Sequence, residues 1–296
     1  MPDTTTFAYA LHLMPGVGRV TAHRLLRHFA TYEDLLRYPR EQVLVRIKGA
    51  PNAEALVARL FDRPAMGTLF SQAEEDIAQL AQRRVDVTAP GDPLWPAQME
   101  QLPPSERPTL LYTYGDRHLL SSRPLLGLFA RPPVPGPEYE LVQELVQALL
   151  PLGAIPVTGA SSGFDVVFHK LAAAQSRPSM LVAACGLGKL PTPLRPTASA
   201  TVKAGGLLVS GFPLVHGPYE HDDRERAVLQ AAFAKVCIFV CPRPGTPEQH
   251  ALDWALSYDC PIFVMDTSGT SIPDGATAID SEGHFELVRH ALGLNG

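Results

Sequence analysis

The chain has 296 residues, 46% of them hydrophobic, and a formal net charge of −5 at pH 7. This length and hydrophobic content are ample for a packed core in one large domain or in two smaller ones. The negative net charge excludes a uniformly basic surface for duplex DNA, because non-specific affinity comes from neutralising phosphates and releasing their counterions.

Charged and apolar residues are distributed unevenly along the chain. Residues 1–60 carry eight lysines and arginines against five acidic residues, a balance of +3, so the remainder carries −8. No stretch of 18 or more apolar residues occurs and the N-terminus lacks the pattern of a secretion signal, so we expect a cytoplasmic protein without a membrane partner. The four cysteines form no CxxC pair and lie in or beside apolar runs, which predicts buried thiols and no metal site.

The first predicted pair of helices surrounds a glycine-containing turn in MPGVGRVTAHRLLRHF, residues 14–29. Gly16 and Gly18 permit the backbone conformations of a tight turn, and the helix after the turn has one apolar side. The main-chain amides at the N-terminus of that helix suit an anion, with Arg19 beside them. The pattern resembles a helix-hairpin-helix motif whose phosphate-binding residues are Gly16, Gly18 and Arg19. The alternative is a turn that only connects two packed helices.

A degraded second copy of this motif follows in IKGAPNAEALVARL, residues 47–60. Gly49 falls opposite Gly16 and Ala55 opposite Ala22, but Pro51 replaces the second glycine and removes a donor amide. The sequence therefore predicts a small helical domain of paired hairpins over residues 1–65.

Residues 66–296 are predicted to form the second domain, whose first part, residues 66–120, is a connecting segment. A polar helix leads into the short strand VDVTA and then into GDPLWPAQMEQLPPSERPTLLYTYGD, residues 91–116. The density of prolines favours an extended path, with LLYTY as an edge strand.

Residues 121–296 alternate apolar strand-like runs with helical runs. This alternation predicts a Rossmann-like, doubly wound parallel sheet with ligands at the carboxyl ends of its strands. Neither a GxGxxG entry with a following acid nor a P-loop lysine motif occurs. The loop TGASSGFD, residues 158–165, is the strongest candidate for an anion site, because its glycines and serines offer amides and hydroxyls at a helix N-terminus.

Several of these segments together resemble the DNA-processing protein A family, also called DprA or Smf. The proline-rich segment of residues 91–116 follows the family's linking pattern almost throughout. LFARPPVPGP keeps Arg131 of a second motif, and TGASSGFDVVFH keeps Gly159, Gly163, Asp165 and His169 of a third, with a serine in place of an arginine. ACGLGKLPTP and YEHDDRERAVLQAAFA match later motifs in part, and acids surround the arginines of the second of these.

The resemblance implies a recombination mediator of natural transformation that binds single-stranded DNA and loads the RecA recombinase. It further implies a homodimer formed through the Rossmann-like domain, no enzymatic activity and no cofactor. The DNA contacts that it implies are Arg131, Gly159, Ser161, Ser162, Gly163, Phe164, His169, Lys170, Lys189, Arg224 and Arg226.

Each of these side chains also has a purely structural interpretation, and the sequence leaves both open. Arg131 can pair with an acid, Asp165 can cap the following helix, and His169 can be packed. Phe164 is either a stacking face or a core residue, and Arg224 and Arg226 lie beside four acids that favour a solvated helix face.

Two other functions stay open alongside the mediator. One is a paralogue that has lost DNA binding and acts as a scaffold or heterodimer partner. The other is a nucleotide-processing enzyme of the lysine-decarboxylase-like Rossmann group, although PGTPEQ, residues 244–249, retains little of that group's GGxGTxxE loop.

Overall fold

The structure is a computed structural model that describes residues 3–121, 124–160, 163–258, 260–265 and 272–294. It divides into two compact units, Met1–Thr113 and Tyr114–Gly296. The first unit contains helices and two short strands: α1 (Thr4–Leu13), α2 (Arg19–His28), α3 (Tyr32–Leu36), α4 (Arg40–Arg46), α5 (Ala53–Leu60), α6 (Arg63–Gln82), β1 (Asp86–Thr88) and most of β2 (Leu111–Gly115).

Short polar side chains fix where the helices of the first unit begin. The Asp3 carboxylate accepts a hydrogen bond from the Thr6 amide at the start of α1, and Asp62 does the same for Ala65 in α6. Thr31 and Asp34 form a reciprocal capping box at the start of α3. These bonds satisfy amides that a helix leaves without an internal partner.

The two predicted hairpins have matching turns. Gly16 and Gly49 adopt φ values of +88° and +89°, in the left-handed region that favours glycine. The carbonyl before each glycine accepts a hydrogen bond from an arginine of the other copy: Pro15 from Arg59 at 3.2 Å and Lys48 from Arg24 at 2.9 Å. The hairpins therefore hold each other together as a pair.

Most of the connecting segment, up to Thr113, belongs to the first compact unit. The His23 ring nitrogen Nε2 lies 3.1 Å from the carbonyl oxygen of Arg107, and the Arg107 side chain donates to the Leu102 carbonyl at 2.9 Å. The predicted boundary at residue 65 thus lies inside this unit, because the segment folds back onto α2. The assignment of separate functional domains to residues 1–65 and 66–296 stays a prediction.

The strands form one sheet of nine strands in the order β1-β2-β6-β5-β4-β3-β7-β8-β9. The pair β1 and β2 is antiparallel, and the registered neighbours from β6 through β9 run parallel. The strands after β2 are β3 (Leu125–Ala130), β4 (Ile155–Thr158), β5 (Met180–Val182), β6 (Leu207–Ser210), β7 (Val236–Val240), β8 (Ile262–Met265) and β9 (Ala276–Ile279). This confirms the predicted fold class of an α/β protein with an N-terminal helical region and a doubly wound sheet.

Helices alternate with these strands, and the sheet is buried under them. They are α7 (Gly136–Leu149), α8 (Phe164–Ala174), α9 (Arg195–Lys203), α10 (Asp222–Phe233), α11 (Pro247–Leu256) and α12 (Phe285–Leu292). Every residue of β3, β4, β7 and β8 is buried, as expected of strands covered on both faces. None of the helices in the described ranges is long and apolar enough to span a bilayer.

The strand order places a switch point between β3 and β7. From β3 the sheet grows through β4, β5 and β6 on one side and then through β7, β8 and β9 on the other. The connections leaving β3 and β7 therefore run to opposite faces of the sheet, which opens a crevice at the carboxyl ends of these two strands.

Candidate nucleic-acid interface

A cavity of about 460 Å³ lies at this switch point. The loop after β3 and the loop after β7 both contribute to it, together with the first turns of α10 and α11. The cavity is lined by both basic and acidic side chains. The basic ones are Arg131, His221, Arg224 and His250, and the acidic ones are Glu220 and Asp253. The predicted position of the ligand site at the carboxyl edge of the sheet thus coincides with a real concavity.

Arg131 forms ion pairs inside the protein while staying accessible. Its guanidinium lies 3.2 Å from Asp223 and 3.7 Å from Glu248, and 47% of the side chain is exposed. Of the two interpretations of Arg131, the structure thus supports the pairing with an acid. A phosphate can still reach the group, but it must compete with two carboxylates of the same chain.

Arg224 and its neighbour Arg226 have different environments although they are two residues apart. Arg224 is exposed, lines the cavity, and lies 3.1 Å from Nδ1 of His250. Arg226 is only 4% exposed and donates from Nε to Asp223 at 2.9 Å and from a terminal nitrogen to Gln230. The solvated-face interpretation therefore fits Arg224, whereas Arg226 is a buried cation beneath the site.

Carboxylates around Arg226 keep it charged despite its burial. Burial disfavours the guanidinium cation, but Asp223, Asp165 and Glu248 outweigh that cost and raise the pKa of Arg226. In turn burial works against ionisation of Asp223, but Arg226 and Arg131 outweigh it and lower the pKa of Asp223. The result is a fixed ionic network directly under the cavity wall.

Gln230 ties this network to the sheet. Its amide nitrogen donates to the carbonyls of Leu128 at 2.8 Å and Val157 at 3.0 Å, which belong to neighbouring strands β3 and β4. Because Gln230 also accepts a hydrogen bond from Arg226, it links the Arg226 guanidinium to the backbone of both strands. The network has little freedom to rearrange toward a ligand.

The loop after β4 passes close over Arg226. A Cβ atom added to Gly159 would lie 2.9 Å from both the Arg226 guanidinium and the Asp165 carboxylate, so a larger residue there would have to displace the ends of these two buried side chains. Gly163 has φ +82° and directly precedes α8, which puts Asp165 in the first turn of the helix rather than at its N-cap. Ser161 and Ser162 lie outside the described residues.

Phe164 and His169 are core residues in this structure. Phe164 is 3% exposed and packs edge-on against Phe168, with ring centroids 4.8 Å apart. His169 is 1% exposed, with Nε2 at 2.8 Å from the Thr158 hydroxyl and Nδ1 at 2.9 Å from the Ser179 hydroxyl. Burial lowers the pKa of His169 to about 4, so its ring is neutral at pH 7. The packed interpretation therefore describes both.

The remaining predicted contacts that the structure describes are not among the residues that line the cavity. Lys170 and Lys189 are exposed, but neither is among the residues that line it. In the first unit Gly16 and Gly18 are exposed, Gly18 is the N-cap of α2, and the Arg19 guanidinium lies 3.4 Å from the Ser105 carbonyl.

One residue that positions the loops around the cavity was not predicted from the sequence. The Arg243 side chain, in the loop after β7, donates to the backbone carbonyls of Arg131 and Pro133 in the loop after β3. It therefore fixes the two loops that flank the switch point. The only signal for it was its place in PRPGTP, after a predicted strand.

Comparison with known proteins agrees with this architecture. A sequence model of the family described as DNA recombination-mediator protein A matches residues 86–291. DNA processing protein A from Streptococcus pneumoniae superposes with a TM-score of 0.62 at 16% identity, over 92% of this chain and 98% of that one. A structure of the Helicobacter pylori protein that concerns its single-stranded DNA binding mode gives 0.60 at 17% identity, over 71% and 97%. No curated protein matches the sequence.

The family match extends from β1 to α12 and includes every segment that forms the switch-point cavity. It covers well over half of the chain, and the resemblance drawn from the motifs is thereby confirmed. The two superposed structures share the fold of this chain. The chain belongs to the DNA recombination-mediator protein A family.

Proposed function

We propose that this protein binds single-stranded DNA at the switch-point cavity and passes it to the RecA recombinase in the cytoplasm, without enzymatic activity. The observation that carries this proposal is the pair of accessible guanidinium groups, Arg131 and Arg224, on a cavity formed by segments of a recombination-mediator family. The related Helicobacter pylori protein is described as a single-stranded DNA binder.

The charge of the molecule favours a local contact over an extended one. The chain carries −5 overall, so favourable phosphate contacts are confined to places where cations cluster. Guanidinium groups recognise phosphate oxygens without regard to sequence. We therefore expect binding that is salt-sensitive and has no strong sequence preference.

The test is fluorescence anisotropy with a labelled thymidine oligomer at several salt concentrations. We expect Arg131→Ala and Arg224→Ala to weaken binding at low salt and each to reduce the slope of log affinity against log salt by about 0.7, the value for one single-strand phosphate contact. Arg177→Ala is the matched control. This exposed arginine precedes β5 and therefore lies at the amino ends of the strands, opposite the cavity. Equal losses in all three variants, or no binding by the wild type, would contradict the proposal.

Transfer to RecA and a homodimer formed through the sheet domain are the further parts of the proposal, and family membership supports them. Sedimentation velocity of the purified chain tests the dimer. RecA filament formation on DNA coated with a single-strand binding protein tests the transfer. A monomer, or no acceleration of filament formation, would contradict the respective part.

A second candidate is a family member that has lost DNA binding and acts as a scaffold or heterodimer partner. A specific observation favours it: three carboxylates, Asp165, Asp223 and Glu248, surround the guanidinium groups of Arg226 and Arg131. Under this alternative the wild type gives no anisotropy change with DNA at low salt but still assembles in sedimentation velocity.

A further inference from the structure

Two of the four cysteines lie side by side at the amino ends of the strands. Cys237 is the second residue of β7, and Cys260 lies two residues before β8, the neighbouring parallel strand. Their sulfur atoms are 3.6 Å apart. The Cys237 amide donates to the Pro261 carbonyl at 3.0 Å, so the pairing of the two chain segments holds the sulfur atoms together.

The two thiols differ in their access to solvent. The sequence predicted buried thiols, which is confirmed for Cys185 and for Cys237, whose exposure is 0%. Cys241 and Cys260 are instead partly exposed. Hydrogen bonding with Cys237 lowers the pKa of the Cys260 thiol and outweighs the opposite effect of its burial. Because the thiolate is the nucleophilic form of cysteine, Cys260 is the member of the pair that meets and attacks an oxidant from solution.

The other two cysteines are too distant to join this pair. Cys241 follows the opposite end of β7, about 13 Å along the strand from Cys237. Cys185 follows β5, which β4 and β3 separate from β7 by about 14 Å. A disulfide requires Cα atoms within about 7 Å of each other. All four cysteines lie in the described part of the chain, and among them Cys237 and Cys260 form the one pair within reach.

We propose that Cys260 and Cys237 are a redox pair that a hydroperoxide converts into an intramolecular disulfide. The Cys260 sulfur attacks the outer oxygen of the hydroperoxide, the O–O bond breaks, and an alcohol or water leaves while Cys260 becomes a sulfenic acid. The Cys237 sulfur then attacks the Cys260 sulfur, the S–O bond breaks, and hydroxide leaves as water with the Cys237 proton. The two thiols together lose two electrons and two protons, and the peroxide gains both.

The geometry requires only a small movement for this bond to form. The sulfur atoms must approach from 3.6 Å to the disulfide length of about 2.05 Å. An accessible thiol of lowered pKa beside a second, resolving thiol is the arrangement typical of redox-sensing cysteines. Thiol reductants reverse such a bond by exchange.

The disulfide would close a loop that carries part of the switch-point cavity. The segment between the two cysteines contains the rest of β7 and all of α11, and its residues Gly245, Thr246 and His250 line the cavity. The cysteines themselves lie at the amino ends of the strands, opposite the cavity. Their oxidation therefore does not depend on whether DNA binds.

The experiment counts free thiols in the purified chain after treatment with hydrogen peroxide. Remaining thiols are alkylated with N-ethylmaleimide in denaturant, and masses are measured intact and after chymotrypsin digestion. Chymotrypsin separates the cysteines of this region because Phe239, Trp254 and Tyr258 lie between them. We expect the wild type to lose two of its four thiols, to link the peptides of Cys237 and Cys260, and to recover all four thiols with dithiothreitol.

Three variants assign the steps to the two sulfur atoms. Cys260→Ser should form no disulfide, because the oxidant does not reach the buried Cys237. Cys237→Ala should also form none and should accumulate a sulfenic acid on Cys260 that dimedone traps. Cys241→Ser is the matched control, since it removes the other partly exposed thiol and should still form the disulfide. Circular dichroism verifies that each variant is folded.

The wild type alone can refute the inference, so it does not depend on the folding of a variant. Four free thiols after oxidation, a disulfide that joins other cysteines or two chains, or a Cys260 oxidised to the sulfinic acid without a disulfide would each overturn it. Disulfide loss in Cys241→Ser as complete as in Cys260→Ser would overturn it as well. None of these outcomes bears on DNA binding, which the anisotropy titrations test separately.

Discussion

Arg131 shows how the partners of one residue decide whether a cation is available to a ligand. Its guanidinium is half exposed but already contacts Asp223 and Glu248. Arg226 is buried and shares the same two carboxylates, so it cannot move outward to replace Arg131. A phosphate that enters the cavity must therefore displace a carboxylate, and Asp223, with 31% of its side chain exposed, is the more accessible of the two.

This competition predicts a gain of function. We expect Asp223→Asn to tighten binding of the thymidine oligomer roughly 2- to 5-fold at low salt, since a partly exposed ion pair contributes at most about 1 kcal/mol. The gain should disappear in the double variant with Arg131→Ala, because no released guanidinium is then present. Anisotropy titrations of the four proteins measure this coupling.

The matched control for this variant is Asp253→Asn. Asp253 lines the same cavity, and its carboxylate accepts from Gln249 within α11. The Asp253→Asn change removes one negative charge, as Asp223→Asn does, but it does not release Arg131 from an ion pair. Equal tightening by both changes would mean that only the overall charge matters, which would contradict the direct competition between Asp223 and phosphate. A loss of folded structure cannot imitate a gain in affinity, and circular dichroism monitors it.

At the scale of elements, hydrogen bonds to the glycine turns join the paired hairpins. Gly16 has a φ of +88°, and the carbonyl before it is bonded to Arg59 of the other copy. A side chain at this position strains the turn and disturbs the bond that joins the hairpins. Gly67, in contrast, lies inside α6 with open space around it.

We therefore expect opposite effects from two glycine-to-alanine changes in the same unit. Gly16→Ala should lower the free energy of unfolding by about 1–2 kcal/mol because alanine resists the left-handed conformation. Gly67→Ala should raise it by up to about 1 kcal/mol because alanine favours a helix. Chemical denaturation measures both values, and a neutral Gly16→Ala would show that the turn relaxes without cost.

The order of helices and strands followed from the sequence because each depends on local patterns. Alternating apolar runs predicted β3 to β8, and glycine-containing turns predicted the two hairpins, since strand and turn signals lie within a few neighbouring residues. The short strand β9 was not predicted. The position of the cavity that we propose as the site, at the carboxyl ends of the strands, followed from the parallel topology alone.

The state of individual site residues could not be predicted in the same way. Arg226 is buried because Glu248, 22 positions later, lies beside it in space, and no local pattern carries that information. Phe164 was open between a stacking face and a core residue for the same reason, because the exposure of a ring depends on which elements cover it, and the structure buries it.

At the scale of the whole molecule, buried ionisable groups link stability to pH. His169 is neutral in the folded protein, where burial lowers its pKa to about 4, and is protonated in the unfolded chain below its ordinary value of 6.5. Its contribution to stability is therefore complete above pH 6.5 and is lost as the pH falls toward 4. Asp223 acts in a lower range, because Arg226 and Arg131, outweighing the effect of its burial, hold its pKa below the ordinary 3.8.

We expect the free energy of unfolding to fall between pH 6.5 and pH 4, with His169 contributing up to roughly 3 kcal/mol of the decrease. The proton binds to the unfolded chain, so acid pulls the equilibrium toward unfolding. His169→Gln keeps a polar group that can bond the Thr158 and Ser179 hydroxyls but cannot take up this proton. Chemical denaturation at a series of pH values should therefore give a shallower profile for His169→Gln than for the wild type. Parallel profiles for the two proteins would show that other groups carry the acid sensitivity, and that the packed histidine is solvated more than its 1% exposure implies.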